Sequence, residues 1–341
     1  MTTIDQVAAL AKVSAATVSR VLNQSPGVRQ QTRERVNRAL EKLAYKPNYA
    51  AQALARSKEK SLGLIIATLS EPFFMSVADS TGNACQTESI QLITLLGGQS
   101  AQTEEAALRS AQEHNCRSIV FHSKYLSDEK LAEILRQTPG LILLNRLLPS
   151  HPERCVWLDN ICGAEKMVHH LVNLGHRSFV YINSVFEIGD PDDRLAGWKK
   201  GLQASGFDPT LLRGECENPT LEGGYRATQR LIKKGVRFTG VLAYDDSMAA
   251  GAIRALRDQG IEVPRDVSVV GFNDAYVARF TIPKITTMHY PVEQMAQRAA
   301  MLALTYAEER DIGDKNAGRF VPVIVERQSV TFCPEIARGS E

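Results

Sequence analysis

The decapeptide SAATVSRVLN, Ser14–Asn23, sets aside Val18, Val21 and Leu22 as an apolar stripe and leaves Ala15, Ala16, Ser19, Arg20 and Asn23 on the opposite face. An arginine fork can donate to guanine O6 and N7 together, and alanine methyls let a helix run close to the bases and touch thymine methyls. A second set of chemically able residues lies further along: Phe73 and Phe74 in SEPFF, Asn145 with Arg146, Arg194 in RLAGW, Asp245 in YDDSMA and Asn273 in GFND. Aromatic faces for C–H surface, with amides, a carboxylate and a guanidinium for hydroxyls, suit a sugar. Arg194 stands apart, because an arginine held out of water needs a partner or a ligand.

Three short helices must position the first set. Thr3 and Gln6 spell a capping box ahead of Ile4, Val7, Ala8 and Ala11, and Ser14 is placed to cap the next helix. A third helix is expected from Thr32, with Val36, Leu40 and Leu43 inward and Arg33, Arg35 and Arg38 mostly outward. The spacing is that of a helix-turn-helix unit, although any small helical bundle with a solvated face shares the pattern. Charge separates the two. Residues 1–60 hold 11 Lys and Arg against 4 acids, a net of +7, in a chain whose net charge is +2. That asymmetry points to a polyanion at the N-terminal end.

VSAATVSRVLN (13–23), VRQQTRERV (28–36) and YKPNYAAQAL (45–54) follow one another in the order V-S-x-x-T-V-S-R-V-L-N, V-x-x-x-T-R-x-R-V, Y-x-P-N-x-x-A-x-x-L. This series resembles the DNA-binding headpiece of the lactose/galactose (LacI/GalR) repressor family, and the small pair Ala15–Ala16 is most like its galactose branch. The resemblance implies a headpiece over 1–46 that holds double-stranded, pseudo-palindromic operator DNA through Thr3, Ser14, Ala15, Ala16, Thr17, Ser19, Arg20, Asn23, Val28 and Thr32. It also implies a hinge helix over 47–60, with Asn48, Ala51 and Leu54 in the minor groove and Leu54 wedged between base steps. NYAAQALA is about two turns long, marginal as an isolated helix, so the hinge is expected to order only on DNA. The plainer reading of Leu54 is the core leucine of a short helix, and so alanine-rich a segment has little apolar face to bury.

Behind the headpiece the texture is α/β. Apolar runs LGLIIAT (62–68), IQLITLL (90–96), RSIVFH (117–122) and GLILLN (140–145) alternate with helical stretches, and SFVYIN, TGVLAY and VSVVGF continue the pattern to a helix from Val292. Alternation of this kind implies parallel sheets wrapped by helices. The resemblance adds two Rossmann-like lobes folded as in periplasmic sugar-binding proteins, the first about 61–160 plus 292–320 and the second about 161–291 plus 321–341. It implies a homodimer, and the absence of a leucine heptad after the last strand-like segments, RFVPVIVE and SVTFC, argues against a tail-mediated tetramer. Six scattered cysteines without C-x-x-C spacing, no signal peptide and no long apolar run suit reduced thiols in a cytoplasmic protein.

Ligands of open α/β sheets bind beyond the carboxyl ends of the strands, where Phe73, Phe74, Asn145, Arg146, Arg194, Asp245 and Asn273 all fall. All five of their motifs resemble effector contacts of the family, so the expected function is a repressor of sugar catabolism or transport genes released by a galactose-like inducer. A non-sugar or co-repressor effector such as a nucleoside or purine is the alternative, and a sugar-binding protein without a DNA role a more distant one. No phosphate-cradling, nucleophile-elbow or zinc signature is present, and His169 and His170 point apart on their helix, so neither enzyme activity, cofactor nor metal is expected. One departure stands out. The family pattern N-D-x-M-A has Asp245 in place of its asparagine, and G-[FY]-D-[DN] has Asn273 in place of its aspartate, as if a single carboxylate had crossed the cleft opposite Arg194. The plainer reading is two independent changes at positions that do not touch the ligand.

Overall fold

The computed structural model describes residues 3–22, 27–45, 61–70, 72–186, 189–310 and 318–333, and the chain divides into two compact units, Met1–Glu59 and Lys60–Glu341. In the first unit, α1 (Ile4–Ala11) starts at the Thr3–Gln6 capping box, with Thr3 N–H donating to Gln6 Oε1 at 3.0 Å. It stops where Lys12 turns left-handed at φ 54°. Ser14 Oγ accepts from Thr17 N at 3.2 Å and opens α2 (Ala15–Leu22). The third helix, α3 (Gln30–Lys42), begins two residues before Thr32, at Gln30, and its N-cap Arg29 gives no side-chain bond. Val7, Val18 and Val36 are fully buried at the centre, ringed by Ala8, Ala11, Val21 and Ala39. The apolar positions of all three helices thus meet in one small core.

Among the described residues the second unit holds two six-stranded sheets. In the first lobe β1 (Ser61–Ile66), β2 (Gln91–Leu96), β3 (Ser118–Phe121), β4 (Gly140–Leu144), β5 (Cys155–Leu158) and β11 (Arg319–Phe320) lie in the order β11-β5-β4-β3-β1-β2. All these neighbours pair parallel. In the second lobe β6 (Phe179–Ser184), β7 (Arg213–Glu217), β8 (Gly240–Ala243), β9 (Ser268–Asn273), β10 (Thr286–His289) and β12 (Val323–Val325) run β12-β10-β9-β8-β6-β7. Only the β10–β12 pair there is antiparallel. SIVF, GLILL and GVLA are buried along their whole length, as parallel strands covered on both faces require.

Helices fill the crossovers: α4 (Pro72–Thr87), α5 (Ala101–Glu113), α6 (Asp128–Gln137), α7 (Asn160–Asn173), α8 (Asp190–Ala204), α9 (Leu221–Lys233), α10 (Asp246–Asp258), the short α11 (Tyr276–Phe280) and α12 (Val292–Ala307). The chain passes from one sheet to the other three times, after β5, after β10 and between β11 and β12. SVTFC, expected as a strand, is irregular. Ser329, fully buried, offers its carbonyl to Val269 N at 2.8 Å and its hydroxyl to Val269 O at 2.6 Å, so side-chain bonds replace a regular ladder. No helix among the described residues is long and apolar enough to cross a membrane.

Candidate functional site

Arg194 sits in the second turn of α8 and is 1 % exposed. Its Nε donates to Asn160 Oδ1 at 3.0 Å, Nη1 to the Tyr244 carbonyl, and Nη2 to Asn273 Oδ1 at 3.4 Å. Its guanidinium carbon lies 3.8 Å from the Phe272 ring centre and 4.5 Å from that of Tyr244. Buried cations are tolerated when each donor nitrogen has an acceptor and a ring face screens them, and here both conditions hold. Each acceptor comes from a different place: Asn160 opens α7 just beyond β5, Tyr244 follows β8, and Asn273 ends β9 in the left-handed region at φ 102°.

The network continues into the first lobe. Asn160 Nδ2 reaches Asp190 Oδ1 at 3.5 Å, and Asp190 Oδ2 accepts from Asn145 Nδ2 at 3.4 Å. Asn145, left-handed at φ 58° beyond β4, in turn accepts from the Tyr290 hydroxyl. The Tyr290 ring meets Phe73 edge-on at 5.4 Å, and Phe73 and Phe74 pack against His122 at 6.0 and 4.9 Å. Burial pushes the Tyr290 hydroxyl well above its ordinary range. His122 is 4 % exposed, and burial, with Lys124 nearby, pushes it down to about 3, so it is a neutral ring.

Six of the seven expected cleft residues are accounted for in this way or close to it. Phe73, Asn145, Arg194 and Asn273 join the network, and Phe74 is 3 % exposed in the core behind Phe73. Asp245 caps α10, its Oδ1 accepting from Met248 N at 2.7 Å. Burial raises its carboxyl, against the Met248 bond and the charge of Arg194. Arg146 does not join: it turns to Asp128 at 2.7 Å and to the Ser123 carbonyl at 3.5 Å. Beside the network opens a cavity of about 630 Å³ lined by Asn145, Arg146, Asn160, Asp190, Asp193 and Arg319 among others. Burial, reinforced by Asp190, Asp159 and Asp192, pushes Asp193 up to about 6 there. Phe73, Arg194, Asp245 and Asn273 do not line that cavity.

Sequence reading passed over Asn160, Asp190, Tyr244, Phe272 and Tyr290. The strand-end rule would have reached four of them, since Asn160, Tyr244 and Tyr290 follow β5, β8 and β10 and Phe272 is the penultimate residue of β9. Asp190 carries no such mark; only its contact with Asn145 and Asn160 reveals it.

On the headpiece, Thr3, Ser14, Ala16 and Arg20 are exposed and Thr17, Ser19 and Thr32 partly so. Arg20 makes no hydrogen bond or ion pair among the described residues, which leaves its donors available. Ala15 and Val28 divide their surface, because both also pack on the headpiece core. Asn23, Asn48, Ala51 and Leu54 lie outside the described residues.

Residues 3–48 match the model of the bacterial regulatory proteins of the lacI family, and residues 168–330 that of a periplasmic binding protein-like domain. The chain is 39 % identical over 334 residues to the HTH-type transcriptional regulator GalR of Escherichia coli strain K12, covering 97 % of this chain and 96 % of that protein. The lac repressor dimer bound to operator and the anti-inducer ONPF superposes with a TM-score of 0.83 at 24 % identity, over 97 % of this chain and 99 % of that one. The regulator CelR in complex with cellobiose gives 0.68 at 28 % identity, over 96 % and 100 %.

Proposed function

The chain belongs to the LacI family of bacterial transcriptional regulators, and on that footing we propose that it represses genes of sugar uptake or breakdown and releases its operator when a galactose-like sugar binds between its lobes. It is a DNA-binding repressor of the LacI/GalR group, working as a homodimer on a pseudo-palindromic site. Arg20 donates to guanine in each half-site, with Ala16 beside it against the base edges. Phosphate contacts from the basic headpiece supply affinity that falls steeply with salt.

The observation that supports the effector reading is the fully buried Arg194, shared by Asn160, Tyr244 and Asn273 at strand ends and tied through Asp190 to Asn145 in the other lobe. Amide oxygens paired to a guanidinium, and a carboxylate bonded to amide N–H groups, are groups that sugar hydroxyls can enter as both donor and acceptor, while Phe73 and Tyr290 offer aromatic surface. A site built of buried polar groups rejects an analogue that lacks a matching hydroxyl, since the group opposite is then left unpaired. Bound sugar changes which lobe-to-lobe contacts are favourable, and that difference is the coupling free energy read at the DNA. By linkage, operator DNA must weaken sugar binding by the same factor.

One titration tests the reading: fluorescence anisotropy of a labelled pseudo-palindromic duplex with the protein, challenged with D-galactose and, separately, hypoxanthine. Galactose should lower DNA affinity at least several-fold and hypoxanthine leave it unchanged. Tightening by hypoxanthine would move the protein to the co-repressor class, and no operator binding at moderate salt would overturn the DNA-binding role.

A further inference from the structure

Asp246, the residue after the α10 cap, is fully buried and lies outside the network around Arg194. Its Oδ1 accepts from Thr287 Oγ1 at 2.5 Å and its Oδ2 from Ala275 N at 2.6 Å. Thr287 Oγ1 also takes the Asp274 N–H at 3.4 Å. One carboxyl and one hydroxyl therefore hold two successive backbone amides of the turn between β9 and α11. That turn is strained: Asn273 and Asp274 stand at φ 102° and 55°, a region β-carbon-bearing residues seldom occupy unless the surroundings impose it. The fit is close enough that a Cβ at Gly271 would lie 2.2 Å from Asp246 Oδ1.

We propose that Asp246 is a positioning residue that makes effector binding sensitive to pH, because its carboxyl holds the strained turn that delivers Asn273 to Arg194. The proposal rests on the effector reading given above. The charged groups that face Asp246 are Asp245 on its own helix and Asp274 in the turn. Asp274 is in turn paired with Arg327 from the segment after β12 at 2.5 Å, His289 at the end of β10 at 3.1 Å and Arg279 on α11 at 3.3 Å. Burial pushes Asp274 up, but its bonds from Arg327 and His289 outweigh that and leave it low, so it is an anion. Burial, with Asp245 and Asp274 adding repulsion, pushes Asp246 up to about 8 against the bonds from Thr287 and Ala275. Protonated, Asp246 can donate to Thr287 Oγ1 while still accepting from Ala275. Ionised, it becomes a second buried anion beside Asp274, and the turn relieves it by opening to water.

Between pH 7 and pH 9 the protonated fraction of a group titrating near 8 falls about tenfold. Galactose affinity by calorimetry should fall by up to that factor in the unmodified protein. In Asp246→Asn, whose amide copies the neutral acid, affinity should hold at pH 7 and stay flat to pH 9; in Thr287→Val it should be weak throughout. Hydrogen exchange of residues 271–276 in ligand-free protein, corrected for intrinsic rates, should speed up above pH 8 in the unmodified chain and not in Asp246→Asn. Galactose that fails to bind at any pH, with the exchange pattern intact, removes the effector reading and leaves the turn's dependence on Asp246 standing. The same pH dependence of exchange in Asp246→Asn as in the unmodified chain overturns the proposal.

Discussion

Exchanging Asp245 and Asn273 tests how charge is distributed around Arg194. Asn273 Oδ1 already accepts from Arg194 Nη2 at 3.4 Å, and the Asp245 carboxyl feels the same guanidinium. Asp245→Asn keeps the α10 cap, because asparagine caps as well as aspartate, and removes only the ionisable carboxyl. Asn273→Asp puts a second carboxylate against Arg194. At 3.4 Å and an effective dielectric near 20, a unit charge pair is worth roughly 5 kcal/mol gross, most of it offset by desolvation in so buried a place. A net of about 1–2 kcal/mol per single change is expected in galactose binding, some 5- to 30-fold by titration calorimetry. Both singles should weaken binding, the first by removing the charge interaction between Asp245 and Arg194, the second by crowding two carboxyl groups. The double variant restores one carboxylate per guanidinium and should recover much of the loss, a coupling of roughly 0.5–3 kcal/mol. Additive losses would refute the shared-charge argument, and no loss in either single variant would place both residues outside the sugar's reach.

Arg20→Ala should cost on the order of 1–3 kcal/mol per half-site and flatten preference at one base pair, read by selection of binding sites from a random pool; an unchanged preference would rule out base reading by Arg20. Arg146→Ala should change galactose affinity less than about twofold and urea stability by under ~1 kcal/mol, because Arg146, although it lines the cavity, makes its bonds to the exposed Asp128 and the Ser123 carbonyl; a large loss of affinity would make it an effector contact. His122, pushed down to about 3 by burial, is neutral when folded and protonates near 6.5 when unfolded. Its stabilisation is therefore complete above 6.5 and drains away as pH falls towards 3. In His122→Leu the stability lost between pH 7 and pH 5 should shrink by about 2 kcal/mol relative to the unmodified protein, and equal urea midpoint shifts in the two would contradict it.

The apolar periodicity of the first 45 residues was enough to place α1 and α2 and the residues that meet between them, because a small helical core is made of neighbours in sequence: Val7, Val18 and Val36 are its centre. The third helix was placed two residues late, since Arg29 starts it without a capping side chain for the sequence to display. Continuous apolar runs marked the buried parallel strands. The edge strand β7, RGECE, is polar and left no such trace, and SVTFC looked like a strand although Ser329 spends its groups on side-chain bonds.

At the cleft, residue types announced a polar, aromatic site, and the carboxyl ends of the strands announced where it would be. Partnership was decided only by the fold. Arg194 meets Asn160 and Asn273 across 34 and 79 residues of chain, Asn145 meets Tyr290 across 145, and Arg146, next to Asn145, pairs with Asp128 instead. The alternation of strand and helix is a local property, written by the period of burial. Which acceptor fills a guanidinium, which acid is left neutral and which arginine is turned aside depend on distances of a few tenths of an ångström between elements far apart in sequence, and those are set by packing.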